Sequence, residues 1–302
     1  MLDEYLDKLE TERPNPNTVD IDSLEIEDIL KRINEEDEKI APAIREEIPQ
    51  IAKAVRMCVD SIKNGGRVIY VGAGTSGRIA FVDAVETVPT FNAPEGLFYP
   101  IIAGGKEALW RSLENVEDKE EYGEKDLEKA NVNSRDIVIG ITASGRTPYV
   151  GGALKKAREV GARTVLLCNV ATPMFADRAD VVISIRTGPE VITGSTRMKA
   201  GTSQKMVLNM ISTATMIKLG KVYKNYMVDL QVLNEKLRKR AVRIISEVTG
   251  VDREVAWEYL KKADMRPKLA ILMISSGKSK EECEKALREV ENLSSALEIL
   301  KR

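Results

Sequence analysis

Two stretches of this 302-residue chain place glycines beside small hydroxyls, and two glutamates stand apart from them with no histidine anywhere to share their work. The first stretch is GAGTSGR at 72–78, where Thr75 and Ser76 can cap a following helix. The second is TASGRTPYVGG at 142–152, where Ser144, Gly145 and Thr147 precede Pro148, a residue suited to a first helical position. Backbone N–H groups, hydroxyls and the positive end of a helix together make an anion site, with phosphate the natural occupant. The glutamates are Glu86, in FVDAVETVPTF, and Glu117, in the acidic segment GGKEALWRSLENVEDKEE. Spacing does not choose Glu117 over Glu114, Asp118 or Glu120, and a solvated helix face accounts for any of them. Without histidine, acid–base chemistry falls to Glu, Asp, Lys, Tyr or Cys, and Ser-His-Asp catalysis and His-ligated metals are excluded.

The glycines Gly72, Gly74 and Gly77 also fit the G-x-G-x-x-G dinucleotide pattern. That pattern needs an acidic residue at the tip of the second strand to hold a ribose hydroxyl. The corresponding segment here, IIAGGKEALW, has glycines instead, so the loop reads as a site for a phosphorylated small molecule rather than NAD.

Short β-branched runs at 67–72, 97–103, 136–141, 163–168 and 181–185, separated by helical stretches, predict five strands. Continuous apolar runs mean strands covered on both faces, hence an α/β fold with a doubly wound parallel sheet. In such sheets ligands bind beyond the carboxyl ends of the strands, where both hydroxyl loops lie. The spacing predicts two or three helices from Leu24 to about Asn64, and a long helix from about Thr202 to Leu219 closed by Gly220. It also predicts a helix from about Met227 to Thr249, then short helices at 253–263, 266–275 and 279–289 with a helical tail. The domains expected are an extended arm at 1–22, an α/β phosphosugar-binding domain with flanking helices at 23–245, and a small helical bundle at 250–302. If a helix starts near Gly77, Glu86 lies about 14 Å along it, at about 1.5 Å per residue. One chain need not bring it to a sugar whose phosphate sits at the helix start.

The 46 basic and 47 acidic residues nearly cancel, so no overall field draws nucleic acid or an anionic membrane. Cys58, Cys168 and Cys283 are odd in number and far apart, which suits small core residues in a reducing compartment rather than a disulfide or zinc framework. The acidic start MLDEYLDKLETERP does not resemble a signal peptide, and no apolar run reaches about 18 residues. The expectation is a cytoplasmic protein with a small-molecule substrate, no metal and no organic cofactor.

The chain resembles the N-acetylmuramic acid 6-phosphate etherases of the sugar isomerase domain superfamily. The likeness covers nearly its whole length: TERPNPNTVDIDSL, GAGTSGR, DAVETVPTF, IAGG, ENVED, ASGRTPYV, VITGSTRMKAGTSQKMVLNM at 191–210 and KVYKNYMVDLQVLNEKLRKRAV at 221–242. The resemblance implies loss of D-lactate from carbon 3 of the sugar by elimination and hydration, without cofactor, in a homodimer whose sites lie near the subunit interface. It assigns Glu86 as the acid on the departing oxygen and Glu117 as the base at carbon 2. It gives Thr75, Ser76, Ser144, Gly145 and Thr147 to the 6-phosphate, and Arg197 and Lys199 to the lactyl carboxylate or the phosphate. For Arg197 and Lys199, a purely structural role at a helix start is an equal alternative. The sequence departs from the family at Val85, where a small polar residue is usual, and at CNVATPM, which lacks the CNPGS form. Two rivals share the fold: a non-catalytic phosphosugar sensor like the related glucokinase regulatory proteins, and an aldose–ketose isomerase. The sensor needs neither glutamate, and the isomerase needs no acid paired with its base.

Overall fold

The computed structural model describes residues 9–232, 234–290 and 292–301. It divides into two compact units, Met1–Ala84 with Gly96–Ser212, and Val85–Glu95 with Thr213–Arg302. Among the described residues no helix is long and apolar enough to cross a membrane.

The first unit is built on a five-stranded, fully parallel sheet: β1 (Val68–Gly72), β2 (Phe98–Ile102), β3 (Ile137–Thr142), β4 (Arg163–Cys168) and β5 (Val181–Ser184), in the order β2-β1-β3-β4-β5. The expected strands are therefore found to within a residue or two at each end. Every residue of β1 and β3 is buried, as strands covered on both faces must be. Pro100, which lacks a ladder donor, sits in β2 at the sheet's edge, where a missing hydrogen bond costs least. The strand order reverses between β1 and β3, and ligands of doubly wound sheets bind at that kind of switch point.

Three helices precede the sheet: α1 (Ile26–Asp37), α2 (Ile40–Glu46) and α3 (Ile48–Lys63), with Pro49 in the first turn of α3. The arm before them is not helical but is a run of turns rather than extended chain, with 3₁₀ turns at Glu10–Glu12 and Ile21–Ser23 and a turn closed by the Thr18 N–H on the Asn15 carbonyl. Its residues 1–8, on which the absence of a leader was partly read, lie outside the described residues. Asn15 Nδ2 donates to the Pro189 carbonyl at 3.1 Å and Thr18 Oγ1 to the Val191 carbonyl at 2.8 Å, so the arm is tied to the segment after β5.

Helix α4 (Gly74–Phe91) follows β1, α5 (Glu120–Lys129) precedes β3, α6 (Pro148–Glu159) follows β3, and α7 (Lys199–Lys218) ends with Gly220 in left-handed conformation at φ 71°. Helices α5 and α6 meet backbone to backbone through two glycines. A Cβ on Gly123 would lie 1.9 Å from the Tyr149 carbonyl oxygen, and one on Gly152 would lie 2.1 Å from that of Glu120. Neither obstacle is a movable side chain. Gly152→Ala is therefore expected to lower stability by about 1–3 kcal/mol, the usual cost of overpacking, as a fall in the urea midpoint with little change in slope.

In the second unit the structure corrects one element. The helix expected from about Met227 does not start there; Val222–Tyr223 and Tyr226–Met227 pair as a small antiparallel hairpin, β6 and β7, whose turn passes through Lys224 at φ 54°. The helix begins only at α8 (Glu235–Thr249), where the Asn234 side chain accepts from the Leu237 N–H at 2.9 Å. Val, Tyr and Met at helical spacing fit both templates, and the Asn234 cap decides where the helix starts. The remaining short helices are as expected: α9 (Arg253–Lys262), α10 (Pro267–Ser276), α11 (Lys280–Glu289) and α12 (Leu293–Leu300). They share one core around Ile245, Leu260, Leu269, Leu272 and Leu293. All three cysteines are buried, one in each of α3, β4 and α11, as small core residues.

Candidate active site

Gly72 pairs with Ile141, so the two hydroxyl loops leave adjacent parallel strands at the same level, on either side of the switch point. The first leads straight into α4, whose N-terminus is formed by Gly74, Thr75 and Ser76. Gly77 keeps this turn tight, because a Cβ there would lie 2.5 Å from Ile102 Cγ1 at the end of β2. The second loop bends at Gly145, at φ 67°, and enters α6 through Thr147 and Pro148. Thr142 and Thr147 share a hydroxyl hydrogen bond of 2.8 Å across it, and its backbone is pinned by Asn169 N–H to the Ala143 carbonyl and Met174 N–H to the Gly145 carbonyl. Thr75 and Ser144 are half-buried and have no side-chain partner among the described residues.

A buried amide and hydroxyl chain backs the first loop. Ser76 Oγ donates to Gln204 Oε1 at 2.8 Å, Gln204 Nε2 donates to Asn169 Oδ1 at 3.0 Å, and Asn169 Nδ2 donates to Ser203 Oγ at 2.8 Å. It joins the N-terminal turns of α4 and α7 to the end of β4. A Cβ on Gly201 would touch Thr75 Cγ2 at 3.2 Å, so α7 reaches the first loop itself. No sequence signal marks Gln204 or Asn169, because their partners are 128 and 35 residues away.

The start of α7 is already charge-balanced. Glu190 accepts from the backbone N–H groups of Lys199 and Ala200, both at 2.9 Å, so a carboxylate of this chain occupies that helix end. Burial nevertheless pushes the Glu190 carboxyl up. The Lys199 ammonium, 1% exposed, lies 2.5 Å from Glu36 of α1, itself 2% exposed. Glu36 also receives Lys39 Nζ at 2.5 Å and Asn17 Nδ2 at 2.9 Å. Lys199 is thus committed to a buried ion pair, while Arg197, two residues earlier, is exposed. Glu190 and Glu36 were not legible in sequence, being 9 and 163 residues from the groups they bind with no motif joining them.

Burial alone would raise the Glu36 carboxyl, but the bonds from Lys199, Lys39, Asn17 and Asn15 outweigh it and hold it at about 2 instead of 4.5. A carboxyl lowered on folding contributes stability that is complete above its unfolded value and disappears as pH falls through its folded one. At about 1.4 kcal/mol per pH unit, roughly 3 kcal/mol is lost between pH 4.5 and about 2. Urea midpoints measured down this range should fall steeply in the wild type and less steeply in Glu36→Gln.

The two glutamates sit in different units. Glu117 is on the first, in the segment between β2 and α5, and its carbonyl accepts the Tyr149 N–H at 3.0 Å in the first turn of α6. The backbone of Glu117 is therefore anchored to the helix that opens at the second hydroxyl loop. Its carboxyl is exposed, yet desolvation by surrounding protein atoms, and secondarily the charge of Asp118, push it up. Arg78, just after the first loop, steadies the approach to this segment by donating to the carbonyls of Ala108 at 3.0 Å and Arg111 at 2.8 Å. Glu86 is exposed on α4. That helix starts at Gly74, three residues before the expected position, which puts Glu86 about 18 Å along it rather than 14. One turn earlier, Asp83 is buried and accepts from Tyr70 Oη at 3.0 Å, Ser212 Oγ at 2.9 Å and Asn209 Nδ2 at 2.6 Å, which fixes the rotation of α4.

Three family models match parts of the chain: the glucokinase regulatory protein N-terminal SIS domain over residues 50–158, the SIS domain over 111–214, and the C-terminal lid domain of glucokinase regulatory protein over 224–268. Whole-chain similarity points elsewhere. The N-acetylmuramic acid 6-phosphate etherase of Petrotoga mobilis is 62% identical over 98% of this chain and 99% of its own. That of Pseudothermotoga lettingae is 57% identical over 98% and 99%, and that of Clostridium acetobutylicum 49% over 95% of both chains. With a parallel SIS-type sheet, two hydroxyl loops at its switch point and relatives this similar from end to end, the chain belongs to the N-acetylmuramic acid 6-phosphate etherase family.

Proposed function

We propose that this protein cleaves the D-lactyl ether of N-acetylmuramic acid 6-phosphate with water, giving N-acetylglucosamine 6-phosphate and D-lactate. The observation that carries the reading is the 62% identity to a named etherase over 98% of the chain. The 6-phosphate lies against Thr75, Ser76, Ser144, Gly145 and Thr147, where helix N-termini and hydroxyls converge at the end of the sheet. Ring opening exposes an aldehyde and makes the carbon 2 proton acidic. Glu117 takes that proton, and Glu86 gives one to the ether oxygen as the carbon 3–oxygen bond breaks. The product is D-lactate and a sugar with a double bond between carbons 2 and 3. Water then adds at carbon 3, and carbon 2 regains a proton. A carboxyl pushed up, as Glu117 is, makes a stronger base when ionised. Arg197, exposed and without a partner among the described residues, offers its guanidinium to the lactyl carboxylate, whereas Lys199 contributes by holding the start of α7 through Glu36.

Glu86 shares its exposed helix face with Val82 and Val85, which are 57% and 58% exposed. Apolar residues around a catalytic acid support a homodimer in which this face is covered by a second copy, bringing Glu86 to a site its own helix start does not reach. The protein works in the cytoplasm on a phosphorylated sugar.

The test is D-lactate release by purified protein with chelator present and the unphosphorylated sugar as control; release from the phosphorylated sugar alone is expected. Run in D₂O, the reaction should leave deuterium at carbon 2 of the product, and in ¹⁸O-water it should place the label at carbon 3. A product with its original carbon 2 hydrogen would exclude elimination. The matches to two regulatory-protein domains favour a second reading, a phosphosugar sensor. Calorimetric binding without lactate release would select it.

A further inference from the structure

The helical unit carries a groove of about 310 Å³ lined by Lys236, Lys239, Arg240, Arg243 and Arg253, five cations and no carboxylate. The chain as a whole has a net charge of -1, so composition does not explain this concentration. Nor does the fold require it. The buried face of α8 is Ala241, Ile244 and Ile245, and the four cations of α8 project from the other side. They stand at helical spacings of three and four, where like charges repel and destabilise a helix. Lys236 lies in the first turn of α8 and Arg253 opens α9, at helix ends that favour negative charge, not positive. Internal carboxylates compensate only two of the five cations. Glu235 pairs with Lys239 at 3.8 Å and Glu247 with Arg243 at 3.7 Å, while Lys236, Arg240 and Arg253 have no partner among the described residues. A groove that accumulates repulsion the fold does not need is relieved by an anion placed among its cations.

We propose that the groove between the starts of α8 and α9 is a binding site for a small phosphate-class anion carrying more than one negative charge. Planar guanidinium groups of Arg240, Arg243 and Arg253 suit phosphate oxygens in pairs, and the lysines add point charge. A pocket of this size, on a chain with no overall positive field, fits a small molecule rather than a polymer track. The inference uses the helical unit alone and stands independently of the etherase reading. The anion has two available sources: a free oligophosphate, or the phosphate of a sugar phosphate.

The test titrates the full-length protein with pyrophosphate, by calorimetry and by melting, at low salt and at physiological ionic strength. The wild type should bind saturably and melt higher with pyrophosphate. The double variant Arg240→Gln/Arg243→Gln should bind at least tenfold more weakly and show no ligand-induced shift. Its own melting point without ligand should equal or exceed that of the wild type, because like-charge repulsion has been removed. Lys285→Gln, exposed on α11 outside the groove, should bind within about twofold of wild type. Equal affinity in the double variant, or no saturable binding by the wild type, overturns the proposal. N-acetylglucosamine 6-phosphate then separates the sources: displacement of pyrophosphate identifies the sugar's own phosphate as occupant, and simultaneous binding identifies a separate oligophosphate.

Discussion

Glu86→Gln is expected to abolish D-lactate release while leaving substrate binding within about threefold of wild type. A general acid or base typically contributes about 10² to 10⁴ in rate. In the proposed reaction the leaving group is an alkoxide that departs slowly unless protonated, so the upper end of that range is expected. The glutamine keeps the size and polarity of the side chain and lacks only the proton. On an exposed helix position it should not disturb folding. The same variant separates the etherase from an isomerase on the same fold, since proton exchange at carbon 2 depends on the base and not on this acid. Glu86→Gln should therefore still exchange that hydrogen with D₂O, and Glu117→Gln should not. Lactate release at the wild-type rate by either variant would remove that residue from the mechanism.

Glu36→Ala should produce the largest loss of stability. It strands the Lys199 ammonium, 1% exposed, without its ion-pair partner, leaving only the weaker charge interactions with Asp37 and Glu190. Breaking one side of a buried ion pair costs about 3–5 kcal/mol, a large fraction of the roughly 5–15 kcal/mol that holds a typical domain together. The informative comparison is the double variant Glu36→Leu/Lys199→Met, which removes both charges and fills the space. If the ion pair serves positioning rather than net stability, the double variant should recover most of the urea midpoint. It should still show a raised KM, because the start of α7 beside Arg197 loses its tether. Recovery of both stability and KM would mean that the pair does nothing for the site.

The sheet was legible because its strands are buried on both faces, leaving unbroken β-branched runs such as VIYVG and IVIGIT that no half-exposed element imitates. Even Pro100, a disruptive residue in a central strand, fitted once β2 proved to be an edge. The helix start misplaced from Asn234 to Met227 had the opposite cause: a two-residue ladder is too short to show a period. At the site, both hydroxyl loops could be read because their chemistry is local, with glycine, hydroxyl and helix start in one heptapeptide. The partners of Lys199 could not. A lysine beside an arginine in STRMKAG looks equally ready for a ligand, and only the fold brings Glu36 to one of them, 163 residues away in sequence. Long-range pairing of buried charges leaves no trace in a single chain's spacing, which is why Gln204, Glu190 and Asp83 also emerged only in three dimensions.

The glycine contact between α5 and α6 bears on which sugars this site accepts. Gly123 and Gly152 bring two backbones together, and the Glu117 carbonyl is bonded to the first turn of the helix that begins at the second hydroxyl loop. No long, adjustable side chain intervenes between that loop and the backbone of residue 117. On the proposed roles, main-chain packing therefore sets how far the backbone of the base stands from the phosphate loop, and only the Glu117 side chain is left to adjust the span. On that reading a sugar phosphorylated at carbon 6 presents carbon 2 to the proposed base, whereas one phosphorylated elsewhere offers it a different carbon. If the proposed roles hold, selectivity for the position of the phosphate rests in part on two missing side chains.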